Sequence, residues 1–350
     1  MNQIQIEMLI EDCKKSCIDY KFLLPLKDQK ILITGGTGFV GKWICEMVSF
    51  LNTNFDFNTH LYLIGRDVES FSNDVPHLAK KTFISLIEQD VRNLHDLPND
   101  ANFVIHAAAS PDSRVHVSQP LKTIETIYRG TNLILDYCFR LPKLNKIVHL
   151  SSNQVYGKIE GEKLIREDMC GGMDSTKFSN VYGESKRISE SICSVYRNQN
   201  SLPVVVCRPF SFIGPYQHLD KPWALNNFIR DGLLGGPIRI LGDGKTIRSY
   251  LYGSDMAYWI LSALVSGVVG EVYNLGSSEA VTLNELAVKV KSILSANMEI
   301  SGKSSKDEYL NTVATIPDTN KIKTRLKVKE NFSLAESLER TITWNKLNNK

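Results

Sequence analysis

Tyr182-Gly183-Glu184-Ser185-Lys186 sets a phenol and an ammonium four residues apart. That spacing brings both onto one face of a helix. An ammonium beside a phenol favours the phenolate, because a nearby cation stabilises the anionic form. A tyrosine so placed can take a proton from an alcohol near neutral pH, so the pair describes a general base with its electrostatic support. A hydroxyl at a strand end should complete the set. Ser151-Ser152-Asn153-Gln154-Val155-Tyr156-Gly157 delivers two, directly after an apolar run.

A second chemical feature lies upstream. Ile31-Leu32-Ile33-Thr34 runs into Gly35-Gly36-Thr37-Gly38-Phe39-Val40-Gly41 and then into an amphipathic pattern. A strand before the glycines and a helix after them is the context that gives such a turn its meaning. Gly35 permits the tight turn, Gly38 lets backbone approach a pyrophosphate, and Gly41 lets the helix pack closely on the sheet. Phe39 and Val40 open the helix whose N-terminus faces the anion. The cofactor predicted is NAD or NADP. Where an acid at the end of the second strand would read the 2′-hydroxyl of NAD, the chain has Gly65-Arg66-Asp67. The Arg66 guanidinium suits a 2′-phosphate and leans the reading towards NADP, while Asp67 offers the ribose a carboxylate. Asp90-Val91, after the third strand, is placed to flank the adenine.

These residues need a frame. The segments 30–34, 60–64, 83–87, 103–107, 146–150 and 204–208 are continuously apolar, as strands covered on both faces are. Helical patterns lie between them at 39–51, 121–139 and 181–198. The alternation predicts an α/β fold: a Rossmann-type doubly wound parallel sheet with a smaller mixed α/β C-terminal substrate lobe. Residues 1–28 read as a helical extension outside the core pattern. Residues 29–209, with 247–270, form the dinucleotide-binding domain, and 210–246 and 271–350 the lobe. The basic stretch 321–329 reads as a solvated surface.

Composition narrows the partners. Lys and Arg number 41 against 38 Asp and Glu, and the resulting net charge of +3 is too weak to argue for nucleic acid. With 43% hydrophobic and 23% charged residues, the chain is of globular type rather than disordered. The polar opening MNQIQIEMLIED is unlike a secretory leader, and the apolar stretch 257–269 falls short of the roughly 20 residues that span a bilayer. No membrane partner is expected. Seven cysteines without a CxxC pair, and seven histidines without ligand spacing, predict a reduced, cytoplasmic, metal-free chain.

Together, TGGTGFVG (34–41), HAAAS (106–110), SSNQVYG (151–157), YGESK (182–186) and RSYLYGSD (248–255) resemble the extended short-chain dehydrogenase/reductase superfamily. Within it, the chain is similar to the NAD-dependent epimerase/dehydratase family acting on nucleotide sugars, from about residue 28 to the end. The resemblance implies a homodimeric, epimerase-type oxidoreductase working through a 4-keto sugar. It assigns Ser152 to the sugar hydroxyl, Tyr182 to proton exchange and Lys186 to the nicotinamide ribose, with Ala107 and Ala108 along the cofactor. Arg248 would clamp the nucleotide diphosphate, and Asn153, Asn226 and Asn227 would contact substrate.

Departures from the family pattern bear on the reaction. Dehydratases of this family carry an Asp-Glu pair where this chain has Asn153-Gln154, and decarboxylating members carry Glu at the position of Gln154. Amides do not titrate, so the acid and base for eliminating water are missing. Ile127 and Ser211 each stand where many members have Asn. The order of readings is therefore epimerase, 4-keto-sugar reductase, then dehydratase. A catalytically idle NAD(P)-binding interaction protein is the alternative from outside the enzymes.

Overall fold

Seven parallel strands form the centre of the molecule: β1 (Lys30–Thr34), β2 (His60–Gly65), β3 (Ile84–Glu88), β4 (Phe103–His106), β5 (Lys146–Leu150), β6 (Val204–Pro209) and β7 (Val272–Leu275). Their order is β7-β6-β5-β4-β1-β2-β3. Ile31 of β1 pairs with Leu61 on one side and Phe103 on the other. The order therefore reverses between β1 and β4, and open α/β sheets bind ligands at the carboxyl ends flanking such a switch point. The computed structural model describes residues 1–159, 161, 164–300 and 316–348. Residues 160, 162 and 163 of the expected dinucleotide domain, and 301–315 and 349–350 of the expected lobe, lie outside the described residues.

Successive strand residues face opposite layers, as the pleat requires. Ile31, Ile33, Leu61, Leu63, Ile105 and Val148 join one core cluster, and Leu32, Ile64, Val104 and Ile147 join another. Numbering the longer helices, α1 (Gln3–Ser16), α2 (Phe39–Phe55), α3 (Pro120–Phe139), α4 (Val181–Asn200), α5 (Ala224–Leu233) and α6 (Gly253–Ser266) precede two more towards the C-terminus. Helices α2 and α6 cover the first layer; α3 and α4, packed together, cover the second.

Two expectations about organisation change. The N-terminal segment is a helix, but it is not outside the core. Leu9, Cys13, Leu23 and Leu26 are fully buried in the same cluster as α2 and α6. Residues 272–275, expected in the lobe, are an edge strand of the central sheet, with Val272 opposite Val206 and Leu275 opposite Pro209. The lobe is built on short pairings, such as Ile238–Ile240 with Met298–Ile300 and Ile247–Arg248 with Val281–Thr282. Nor is the basic stretch simply solvated: Lys321 pairs with Glu271 at 2.5 Å and Lys323 with Glu330 at 2.7 Å, while Ile322, Leu326 and Val328 are buried. Among the described residues no helix is long and apolar enough to cross a membrane, and no three His, Cys, Asp or Glu side chains are grouped to hold a metal ion.

Candidate active site

The end of β5 and the start of α4 bring the chemical residues together. Ser152 caps the 3-10 turn Asn153–Tyr156, its Oγ accepting the Gln154 N–H at 3.2 Å. Tyr182 and Lys186 lie on the buried face of α4, 7% and 4% exposed. Lys186 Nζ donates to the Leu150 carbonyl at 2.7 Å, which ties the ammonium to the strand that delivers Ser152. The same Nζ is 6.0 Å from the centroid of the Tyr182 ring. Of the two serines, Ser152 is close enough to Tyr182 to favour its phenolate, whereas Ser151 Oγ is buried and finds no partner among the described residues.

Electrostatics here differ from the sequence expectation. Burial pushes the Tyr182 phenol up to about 12, with the Ser152 hydrogen bond pulling the other way. Burial also pushes the Lys186 ammonium down to about 8. Desolvation disfavours whichever form is charged, and for two groups this deep it outweighs their proximity. A cationic ligand beside the phenol would oppose the effect of burial on it.

Arg187 holds this geometry, and sequence reasoning missed it. Its Nε donates to Val155 O at 2.7 Å and its Nη2 to Gly171 O at 2.8 Å. The turn that carries Ser152 is thereby laced to the helix that carries Tyr182. Because both partners are backbone carbonyls, no side-chain pattern could have signalled the contact. Asn153 is half-buried, with Ser152 Oγ 3.4 Å from its Oδ1, and Gln154 is exposed.

The dinucleotide cradle sits at the switch point. Gly35 has φ +69°, and a Cβ there would lie 2.9 Å from Ala107 O and 3.0 Å from Ala108 Cα. Only glycine lets the turns after β1 and β4 lie side by side. At Gly41 a Cβ would come within 2.0 Å of Gly36 O, so the turn folds directly onto α2. Gly38 is the exposed N-cap of α2 and supplies no side-chain cap, leaving the first-turn N–H groups to an anion. Phe39 stacks on Phe212 with centroids 6.2 Å apart, and Val40 is half-buried beside it in sequence. These features fit a dinucleotide pyrophosphate.

The acid missing from the end of β2 has a steric cause. A Cβ on Gly65 would meet Thr37 Oγ1 at 2.4 Å, so no side chain fits while Thr37 keeps its place. Asp67 is engaged with the helix that follows it. Its Oδ1 accepts the Ser70 N–H at 2.7 Å and caps the helix Val68–Asp74. Asp90 likewise caps the turn Val91–Asn93 and is gripped by Arg92, with Nε at 3.0 Å and Nη2 at 2.8 Å. Arg92 holds the Asp90 carboxyl down at about 2, and Arg66 adds a smaller pull in the same direction. Arg66 is exposed, so two guanidiniums gather near Asp90 where the sequence had pointed to one. Val91 is buried against Gly130, where a Cβ would approach its Cγ1 to 2.9 Å.

On the lobe side, Arg248 lies on the strand Ile247–Arg248, its Nη1 donating to Ile247 O at 2.9 Å. Burial holds its guanidinium below the usual arginine value, with the Tyr250 phenol opposing. The two asparagines on α5 are engaged within the lobe. Asn226 is 2% exposed and its Nδ2 donates to His218 O at 2.8 Å, so its amide braces the lobe. Asn227 is half-buried and its Oδ1 accepts from Arg230 Nη2 at 2.9 Å.

The chain is 28% identical over 327 residues to UDP-N-acetyl-alpha-D-glucosaminuronate decarboxylase of Bacillus cytotoxicus, covering 90% of this chain and 97% of that one. It is 27% identical over 331 residues to UDP-glucuronic acid decarboxylase 1 of Danio rerio, covering 93% and 74%. Among solved structures, it resembles UDP-glucuronic acid 4-epimerase from Bacillus cereus in complex with UDP-glucuronic acid and NAD. That match has a TM-score of 0.79 at 26% identity and covers 91% of this chain and 100% of the other. Residues 31–276 match the family model that spans both cradle and chemical trio, and the chain belongs to the NAD dependent epimerase/dehydratase family.

Proposed function

We propose that the chain is a cytoplasmic, NAD(P)-dependent nucleotide-sugar oxidoreductase of the epimerase type, working through a 4-keto sugar. The observation that carries this reading is the convergence of Ser152, Tyr182 and Lys186 at the carboxyl end of β5. Ser152 Oγ orients the sugar C4 hydroxyl and Tyr182 Oη takes its proton. Lys186, its Nζ 6.0 Å from the centre of the phenol ring, supports the phenolate and turns its remaining donors to the ribose of the dinucleotide. Bound NAD(P) supplies the hydride acceptor and donor at the sugar carbon. Once the keto sugar has presented its other face, Tyr182 returns the proton to the oxygen. Arg248 is placed to hold the nucleotide diphosphate by paired N–H donors.

Two of the relatives named above are decarboxylases. Asn153 and Gln154 weigh against carrying that reaction, or a dehydration, over to this chain. Neither amide can supply or accept the proton those reactions need beyond the tyrosine. The second reading is a 4-keto-sugar reductase. Gly65, which bears no carboxylate, and the guanidiniums of Arg66 and Arg92 suit the 2′-phosphate of NADPH. The test is incubation with a panel of nucleotide sugars, beginning with UDP sugars, read by product mass and cofactor absorbance. An epimerase leaves both unchanged, a reductase adds two hydrogens and oxidises cofactor, and a dehydratase loses water.

The proposal includes a homodimer formed through α3 and α4. Their outward faces carry Leu121, 74% exposed, with Tyr128 on α3 and Ile188 and Val195 on α4 also exposed. Apolar residues at such spacing on two adjacent helices are costly in water and cheap in a four-helix contact. Sedimentation of wild type and of Tyr128→Glu/Ile188→Glu tests this: a wild-type monomer refutes it.

A further inference from the structure

The helix Ser113–Ser118 follows the Ala107–Ser110 segment and packs on α3 and on the 3-10 turn Phe178–Asn180 that leads into Tyr182. Its N-cap, Asp112, accepts the Arg114 N–H at 3.0 Å and holds the Arg114 guanidinium at 3.1 and 2.7 Å. One turn on, His116 is 8% exposed and lies face to face on the Tyr182 ring, with centroids 4.1 Å apart and planes 10° from parallel. Its Nε2 is 2.7 Å from Ser110 O. A carbonyl only accepts, so Nε2 carries a proton and the ring cannot rotate without losing that bond. The imidazole is thus anchored to the loop beside the dinucleotide cradle and pressed against the phenol.

We infer that His116 is a positioning residue for Tyr182: it fixes the plane of the phenol and keeps water off one face of the ring, and so sets how readily the hydroxyl gives up its proton. The inference rests on the reading of Tyr182 as the proton-transferring group. The charged groups around the imidazole are Asp112 and Arg114 on its own helix, Lys186 on α4, and Lys221 of the lobe, 3.9 Å from Asp112. Burial lowers the imidazole's affinity for a second proton, and Lys186 lowers it further. Asp112 and the Ser110 carbonyl pull the other way. A neutral ring is a stacking partner rather than a second cation beside Lys186. Neither His116 nor Ser110 belongs to the trio, and nothing in their spacing along the chain announces the contact.

The test places 3,5-difluorotyrosine at position 182 of the full chain and follows its ionisation by fluorine NMR. Ring fluorination brings the phenol into a range where the protein stays folded, and the probe reports one residue without any turnover. His116→Ala exposes the ring face, so the ionisation midpoint should fall by about 1 pH unit, the scale of a partial loss of desolvation. His116→Phe restores an aromatic wall and should leave the midpoint within about 0.3 of the parent. Should the alanine variant not fold, His116→Gln removes the aromatic face with a polar side chain and should move the midpoint in the same direction. In unlabelled enzyme the acid limb of kcat, which Lys186 sets, should stay in place and only the plateau above it should change, while the KM for substrate stays within about threefold, because His116 acts through Tyr182. An unchanged midpoint in His116→Ala or His116→Gln, or an equal shift in His116→Phe, overturns the inference. Failure of the underlying reading shows up separately, as undiminished turnover in Tyr182→Phe.

Discussion

Replacing Lys186 by Met asks whether the lysine and the tyrosine work as one proton-sharing unit. Burial leaves Tyr182 at about 12 and Lys186 at about 8, so the first proton to leave the pair comes from the lysine. Between those values the pair holds one proton. The competent arrangement, ammonium with phenolate, is then a tautomer of the neutral pair rather than a further deprotonation. Were the two charges indifferent to each other, a gap of about four in pKa would leave roughly one molecule in 10⁴ in that tautomer. They are not indifferent. Taking the 6.0 Å from Lys186 Nζ to the centre of the phenol ring as the scale of their separation, opposite charges attract by about 3 kcal/mol at an effective dielectric of about 20, which raises the fraction roughly a hundredfold. Lys186→Met removes that attraction, so kcat at pH 8 should fall about a hundredfold. The sign of the pH dependence follows as well. Wild-type kcat should decline below pH of about 8, where both protons are bound, and level off above it. In the variant the phenol ionises alone, so kcat should keep climbing about tenfold per pH unit well above pH 8. The assay is initial rates from pH 6 to 10 with the sugar nucleotide that the panel identifies. Calorimetric measurement of NAD(P) affinity keeps loss of the ribose contact apart from loss of chemistry. An acid limb that stays near pH 8 in Lys186→Met, with less than tenfold loss, would refute the coupling.

Arg248→Ala should weaken the sugar nucleotide by roughly tenfold to a hundredfold and leave NAD(P) untouched, as loss of a charge-assisted pair does; equal loss for both ligands in calorimetry excludes the diphosphate clamp. Arg66→Ala should cost NADP about tenfold more affinity than NAD. Asp67→Ala should leave both cofactors alone and instead lower stability by about 1 kcal/mol in urea unfolding, because Asp67 caps the helix Val68–Asp74. If Asp67→Ala lowers NAD affinity while Arg66→Ala changes neither ligand, the enzyme reads the NAD ribose and the reductase loses its support. Gly65→Ala would force a methyl against Thr37 and should weaken NAD(P) at least tenfold through the displaced glycine turn, with partial recovery in Gly65→Ala/Thr37→Ala; full affinity in the single variant means the turn yields at no cost.

What was legible in the chain was whatever its own periodicity records. β1, β2 and β4 to β6 announce themselves because both faces of a central strand are covered, which leaves an unbroken apolar run such as Lys30–Thr34. Tyr182 and Lys186 are readable for the same kind of reason: their relation is one helical turn and needs no tertiary knowledge. β7 escaped because Val272–Leu275 is a four-residue strand whose sheet partner among the described residues, β6, lies more than sixty positions earlier. Leu9 and Cys13 mark an inward face of α1, yet nothing local says that α2 and α6 are there to receive it. Asn226 was expected at the substrate from the family resemblance alone; its engagement with His218 O is decided by packing. Arg187 and His116 bind backbone carbonyls, which every residue possesses, so no residue type signals the match.

That difference between local and packed information separates chemistry from specificity in this molecule. Leu150 O takes the Lys186 ammonium, Ser152 caps the turn that follows, and Arg187 clasps Val155 O from the same helix. Any displacement of α4 against β5 would break several of these bonds at once, so phenol, ammonium and hydroxyl keep their relation as a unit. Arg248 and the α5 asparagines depend on none of these bonds. They are held by the lobe's own carbonyls and side chains, on short strands and loops whose shape the central sheet does not fix. Substitutions there can reshape the sugar site without disturbing proton transfer, and the trio can be conserved in geometry across enzymes that handle different sugars. This is why residues 182–186 and 151–157 speak plainly about the class of reaction, while the identity of the sugar must be measured rather than read.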